Sequence, residues 1–183
     1  MEEFLNLNIE NLFNYVLKEI RYGWIDTKGI EHYGVNDDDL EYHLQTPEET
    51  LKRKIGICWD KCELLRYYFE NNHYELKTYF IYLYLNDNNC PSHAMLVYKK
   101  DNNLIWIEPS ISKMLGGIHI YKTEEEFLID MKQRFIQNGL NNNFFTEKDN
   151  LKKIYCYQFE KSMHGVRGSE YYNHCRKGKK IEI

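Results

Sequence analysis

The sequence predicts an α+β fold, with helices first and an antiparallel sheet after them. Three observations carry that expectation. Residues 9–20 place Ile9, Leu12, Phe13, Val16, Leu17 and Ile20 at the spacing of one helical face. Residues 76–85 have β-branched and aromatic side chains on both parities, as a strand covered on both faces requires. Residues 92–99 and 104–108 flank the polar tip Lys100-Asp101-Asn102-Asn103, which is the pattern of a hairpin.

The remaining elements follow in chain order. Gly23 is expected to end the first helix, and residues 24–44 read as polar and irregular, with a turn at Asp26-Thr27-Lys28-Gly29. The acidic cluster Asp37, Asp38, Asp39 and Glu41 lacks the spacing and glycine of a calcium loop and reads as a solvated turn. Thr46-Pro47-Glu48-Glu49 is a capping-box start with proline at the first helical position, and Gly56 is expected to stop that short helix. A second helix then runs from Cys58 to about residue 71, with Cys58, Cys62, Leu65 and Phe69 on one inward face. Residues 86–89 turn the chain between strands, and a short strand covers 118–121. Thr123 with Glu126 opens another helix, with Gly139 as its expected C-terminal stop. Residues 153–159 read as a strand, 170–175 as a helix and 179–183 as a last strand.

At 183 residues the chain is expected to form a single domain spanning 1–183, since roughly 150 residues make one. Lys plus Arg number 24 against 28 Asp plus Glu, a net charge of −4 that argues against nucleic acid or an anionic membrane as partner. Aromatics at 15%, including 16 tyrosines, exclude disorder because they bury enough surface to offset the entropy of ordering. The N-terminus carries acids where a secretory leader carries Lys or Arg, and the longest apolar run, 80–85, is far short of a membrane span. A cytoplasmic location is therefore expected, where thiols stay free. Five cysteines, an odd number, do not make a closed disulfide set.

Cys58 is distinguished among them by its place. It follows Gly56 at a helix start, where free N–H groups and the positive end of the helix dipole favour a thiolate and hold an oxyanion. An attacking thiol wants a base. His93 is the histidine that opens a strand with an acid, Glu108, on the next one. An even hairpin loop puts residues 93 and 108 on the same face. With the four-residue tip, Lys99 faces Leu104, Met95 faces Glu108 and His93 faces Ser110, so His93 and Glu108 are diagonal neighbours roughly 7–8 Å apart at the backbone. Glu108 then orients the imidazole and stabilises its charged form.

These residues carry a resemblance. Gly56-Ile57-Cys58-Trp59-Asp60 resembles the G-x-C-x-[DE] nucleophile motif of the transglutaminase-like superfamily, and His93-Ala94 followed by Trp106-Ile107-Glu108-Pro109-Ser110 resembles its H-A … W-x-x-D-P-[ST] signature. Residues 44–49 are similar to the lead-in of small transglutaminase-like proteins of Gram-positive bacteria. Glu108 stands where the superfamily usually has Asp, which moves the carboxylate by about an ångström. The resemblance implies a papain-like fold, with the helix bearing the nucleophile packed on an antiparallel sheet, and a Cys58-His93-Glu108 triad. It also implies acyl transfer or amide hydrolysis on a protein or peptide substrate, without a cofactor or metal. In the larger transglutaminases a Trp upstream of the nucleophile holds the oxyanion. Trp24, 34 residues before Cys58, and Gln45 are the candidates for that role, with Trp59 as a wall of the cleft.

Two other readings compete. A catalytically silent binding module on the same fold accounts for Glu in place of Asp. A structural zinc site uses Cys58 and Cys62 with Cys90 and His93. The zinc reading is weakened because its first pair spans a helical turn rather than a knuckle, and because it leaves the segment around Glu108 unused. Cys62 reads as core, and His164 and His174 as residues of a packed tail. The sequence assigns no oligomeric state.

Overall fold

The computed structural model describes residues 1–35, 41–87, 89–111 and 114–183. The acidic triplet Asp37 to Asp39 and the turn residue Asn88 fall outside the described residues. Two helices, α1 (Glu2–Leu5) and α2 (Ile9–Glu19), precede a two-stranded ribbon of β1 (Gly23–Ile25) and β2 (Glu31–Tyr33). Next come α3 (Pro47–Arg53), α4 (Cys58–Asn71) and the strands β3 (Leu76–Leu83), β4 (Ser92–Lys100), β5 (Asn103–Glu108) and β6 (Gly117–Tyr121). The chain closes with α5 (Glu124–Asn141), a 3₁₀ turn (Leu151–Lys153), β7 (Ile154–Phe159), α6 (Gly168–Arg176) and β8 (Lys179–Ile181).

Six strands form one antiparallel sheet in the order β6-β5-β4-β3-β7-β8. The double-sided character of β3 is explained by its place beside β4 and β7 and by a helical layer on each face. Phe80 and Tyr82 join Ala94, Leu96 and Phe159 under α2 and α4, while Tyr79, Ile81 and Leu83 join Met95, Val97 and Trp106 under Phe127, Met131 and Phe135 of α5. Full burial of side chains this size contributes about 1.5–3 kcal/mol each before entropy is counted. The fold is α+β, as the sequence predicts.

Helix α4 is buried on nearly every side, and its charges are paired within that burial. Arg66 donates to Glu63 at 3.0 Å and to Thr78 Oγ1 at 2.6 Å, and Thr78 donates to the Phe159 carbonyl at 2.6 Å. A buried pair persists only when its remaining hydrogen bonds are made, and these tie α4 to β3 and β7.

Four local expectations are corrected. Residues 24–44 are not wholly irregular. Asp26 Oδ1 accepts from the Lys28 and Ile30 N–H groups, closing the turn that pairs β1 with β2, and three-residue strands are too short to show a period in sequence. Helix α3 stops at Lys54, in the left-handed region at φ 55°, rather than at Gly56. Gly56 has another use, since a Cβ there would lie 2.8 Å from Asp60 Cβ. Gly139 does not end α5, which runs on to Asn141. It makes room for Phe145, whose ring would lie 2.1 Å from an added Cβ. The hairpin tip holds two residues, Asp101 (φ 50°) and Asn102 (φ 63°), not four. The parity is unchanged, so Lys99 still pairs with Leu104. Two positive φ values in succession are what a tight hairpin turn demands. Among the described residues, no helix is long and apolar enough to cross a membrane.

Candidate active site

The start of α4 is anchored from behind. Its cap residue is Ile57, whose side chain accepts nothing, so Asp60 takes over: Oδ2 accepts from the Ile57 N–H at 3.0 Å. Asp60 Oδ1 accepts from the Tyr42 hydroxyl at 2.9 Å and the Gln45 N–H at 3.0 Å. Burial pushes this carboxyl up to about 7, against the pull of those donors. Asp60 thus fixes the helix start from inside, and Gly56 gives it the room to do so. Ile57 supplies no side-chain cap, and the front of the first turn faces the cavity, with the Tyr22 hydroxyl beside Cys58.

His93, the second residue of β4, meets Glu108, the last residue of β5. His93 Nε2 lies 2.6 Å from Glu108 Oε2, with both side chains buried. The register Leu96↔Ile107, extended by one pair, sets Glu108 opposite Met95 and makes it the diagonal neighbour of His93. Glu108 Oε1 accepts from the Ser110 N–H at 2.7 Å and the Ile111 N–H at 3.2 Å, so the longer acid is held at both oxygens. Burial alone would raise this carboxyl, but His93 and the two N–H groups hold it below the ordinary range. Burial alone would lower the imidazole. The Glu108 carboxylate and the Cys58 sulfur instead raise it to about 10.

Cys58 lies close enough to act on the charge of His93, and both line one cavity. Because Nε2 faces Glu108, Nδ1 is the nitrogen left for the sulfur. By strand alternation His93 and Glu108 belong to the face of Met95 and Trp106, whereas Cys58 packs in the cluster on the opposite face. They meet because all three stand at the ends of their elements, where the sheet stops. A cavity of about 1180 Å³ opens there, lined by Cys58, Trp59 and His93 together with side chains from both layers.

Two residues at the site carried no signal that sequence reasoning used. Tyr22 lines the cavity, with its hydroxyl next to Cys58. Burial and the neighbouring sulfur raise its pKa well above the usual value, so it stays a donor. Lys61, only 2% exposed, donates to the Pro109 carbonyl at 3.4 Å, and its Nζ lies 5.7 Å from the centre of the Tyr22 ring. Burial lowers it to about 8, opposed by Glu108, Cys58 and Asp60. Its position three residues after Cys58, on the same helical face, is the signal that could have found it. Tyr22 lies on no periodic element and had none.

The other expected residues are placed as follows. Trp59 lines the cavity and packs edge-on to Tyr42 at 5.4 Å. Trp24 is buried in β1, stacked on His32 at 4.1 Å, and is not among the cavity's lining residues. Gln45 is buried too. Its Nε2 donates to the Ile55 carbonyl at 3.0 Å, and it also lies outside that lining. Cys62 is core, with burial raising its thiol well above the usual range. Among the described residues no three His, Cys, Asp or Glu side chains gather as a metal site needs, so Cys58, Cys62, Cys90 and His93 form no zinc ligand set.

A family model described as a transglutaminase-like domain matches residues 5–136, which spans α2 through most of α5 and includes Cys58, His93 and Glu108. No curated protein matches the chain. With well over half of its length under that model, and with a helix bearing Cys58 packed on an antiparallel sheet, this chain belongs to the transglutaminase-like domain family.

Proposed function

We propose that the protein carries out thiol-dependent acyl chemistry, either amide hydrolysis or acyl transfer, on a protein or peptide substrate. The observation that carries this reading is the 2.6 Å contact of His93 Nε2 with Glu108, which leaves Nδ1 toward the Cys58 sulfur. As its thiolate, Cys58 Sγ attacks the amide carbonyl beside a His93 ring that carries a proton on Nδ1. The C–N bond breaks, and the same proton leaves on the amine, giving a thioester. His93 then takes a proton from water or from an acceptor amine, which attacks the thioester and releases Cys58. Glu108 keeps the ring in one orientation and compensates its charge throughout. The negative oxygen formed at each attack is held by N–H groups at the start of α4, with the Tyr22 hydroxyl as a further donor.

A hydrolase and a cross-linking transferase share this chemistry up to the thioester. Product analysis with and without an added primary amine separates them. The nucleophile itself is tested by alkylation: Cys58 reacts with iodoacetamide near neutral pH faster than a model thiol, and a rate no faster would end the proposal. A catalytically silent binding module predicts that slower result.

A further inference from the structure

The cavity at Cys58 has two unlike arms. One is lined by α5 and the turn after it, with Met131, Phe135, Phe144 and Phe145. The other is lined by Ser169, Tyr172, Asn173 and Arg176, which follow the i, i+3, i+4, i+7 spacing of a single face of α6. This second arm lies beyond the residues that the family model matches.

Arg176 is exposed to solvent and rests on aromatic rings. Its guanidinium lies 5.3 Å from the Tyr82 ring centre and 5.4 Å from that of Tyr172. Aromatic faces favour a planar guanidinium lying over them. The arginines in the described ion pairs are Arg21, Arg66 and Arg134, and the groups that act on Arg176 are the phenols of Tyr82, Tyr172 and Tyr157. Among the described lining residues Arg176 is the one permanent cation and Asp87 the one acid. Asp87 is already engaged by the Tyr84 hydroxyl at 2.7 Å.

We infer that the α6 arm is a carboxylate-binding subsite, and that the substrate of the Cys58 centre is an amide bearing a carboxylate at one end and an apolar group that lies along α5. A single guanidinium with a hydroxyl and an amide beside it matches the one charge and two acceptor oxygens of a carboxylate. A phosphate dianion calls for more than one cation. The substrate assignment depends on Cys58 being the nucleophile, and the test separates the two.

The test uses bromoacetyl amino acids of increasing spacer length, each paired with its neutral carboxamide. The Cys58 sulfur displaces bromide to form a thioether, and site-resolved mass spectrometry gives the alkylation rate at Cys58. In the wild type the carboxylate reagent should outrun its carboxamide on the order of ten-fold at one spacer length, as a charge-assisted hydrogen bond allows. In Arg176→Gln that ratio should fall to about one, and Arg176→Lys should keep part of it. The carboxamide rates serve as an internal control for folding. A wild-type ratio near one at every spacer length overturns the subsite, as does a preference that persists in Arg176→Gln, which would belong to the His93 charge. Carboxamide rates no faster than a model thiol would remove the nucleophile while leaving the carboxylate ratio readable.

Discussion

Helices α4 and α5 flank the same sheet, and each begins with an acid at its third position that accepts from the capping N–H, but they differ in the capping side chain. At the start of α5 the Thr123 side chain accepts from the Glu126 N–H at 3.2 Å, and Glu126 accepts in return from the Thr123 N–H. Helix α3 repeats the device with Thr46 and Glu49. The start of α4 has an isoleucine in the capping position, and the only acid in its first turn, Asp60, points backward to Ile57, Tyr42 and Gln45. Capping residues satisfy the first N–H groups of a helix and so consume its capacity to bind anything else. At α4 the acid half of the cap is kept, by a buried carboxyl, and no capping side chain closes the front beside Cys58. The two helix starts thus differ in what stands over the front of the first turn: a threonine at α5, the cavity at α4.

The largest effect expected from breaking that difference is at His93. Replacing His93 by Ala should lower acyl turnover by about 10²–10⁴, the usual contribution of a positioned base. Cys58 alkylation at neutral pH should fall with it, and an unchanged alkylation rate would mean that the open helix start alone activates the sulfur.

Glu108→Gln removes the charge that holds the imidazolium. The His93 pKa should drop from about 10 toward its ordinary value of 6.5, read from the ring resonances by NMR. The stability consequence has a definite sign. Because the folded pKa of His93 is raised, its contribution is complete below about 6.5 and is lost as pH rises through about 10. Glu108, held low, contributes above its ordinary 4.5 and loses that contribution as pH falls through its folded value. Denaturant melts across pH should therefore show both limbs in the wild type and neither at these residues in Glu108→Gln.

Gly139→Ala tests the packing of the capped helix. A methyl there would run into the Phe145 ring, and overpacking of this kind costs about 1–3 kcal/mol, read as a lower Tm. The smallest effect is the sharpest test of the comparison. Thr123→Ala should cost about 1 kcal/mol and leave Cys58 alkylation unchanged. Ile57→Thr, which offers the first turn of α4 an acceptor, should instead slow alkylation several-fold.

Much of the frame was legible because it is local. Thr46 and Thr123 announce their helices through short-range hydrogen bonds, and the register of the hairpin follows from parity, which survived a tip of two residues in place of four. Glycine was read less well. In sequence Gly56 and Gly139 read as helix stops, but both serve close approach, to Asp60 and to Phe145, and the need for space appears only when the neighbour is known. Tyr22 and the α6 face that carries Arg176 were missed for the same reason, since their roles depend on what stands across the cavity.

By itself the sequence determined which residues bear reactive groups, where the longer helices and strands lie, and that His93 and Glu108 share a face of one hairpin. Those properties depend on backbone sterics and on neighbours a few positions away. The tertiary structure alone decided that Cys58, packed on the other side of the sheet, lines the same cavity as His93. Side chains on opposite faces are kept apart along the length of a strand and meet only where it ends, and which ends coincide is set by long-range packing. The same packing brought Tyr22 to the sulfur and Arg176 to the far arm of the cavity.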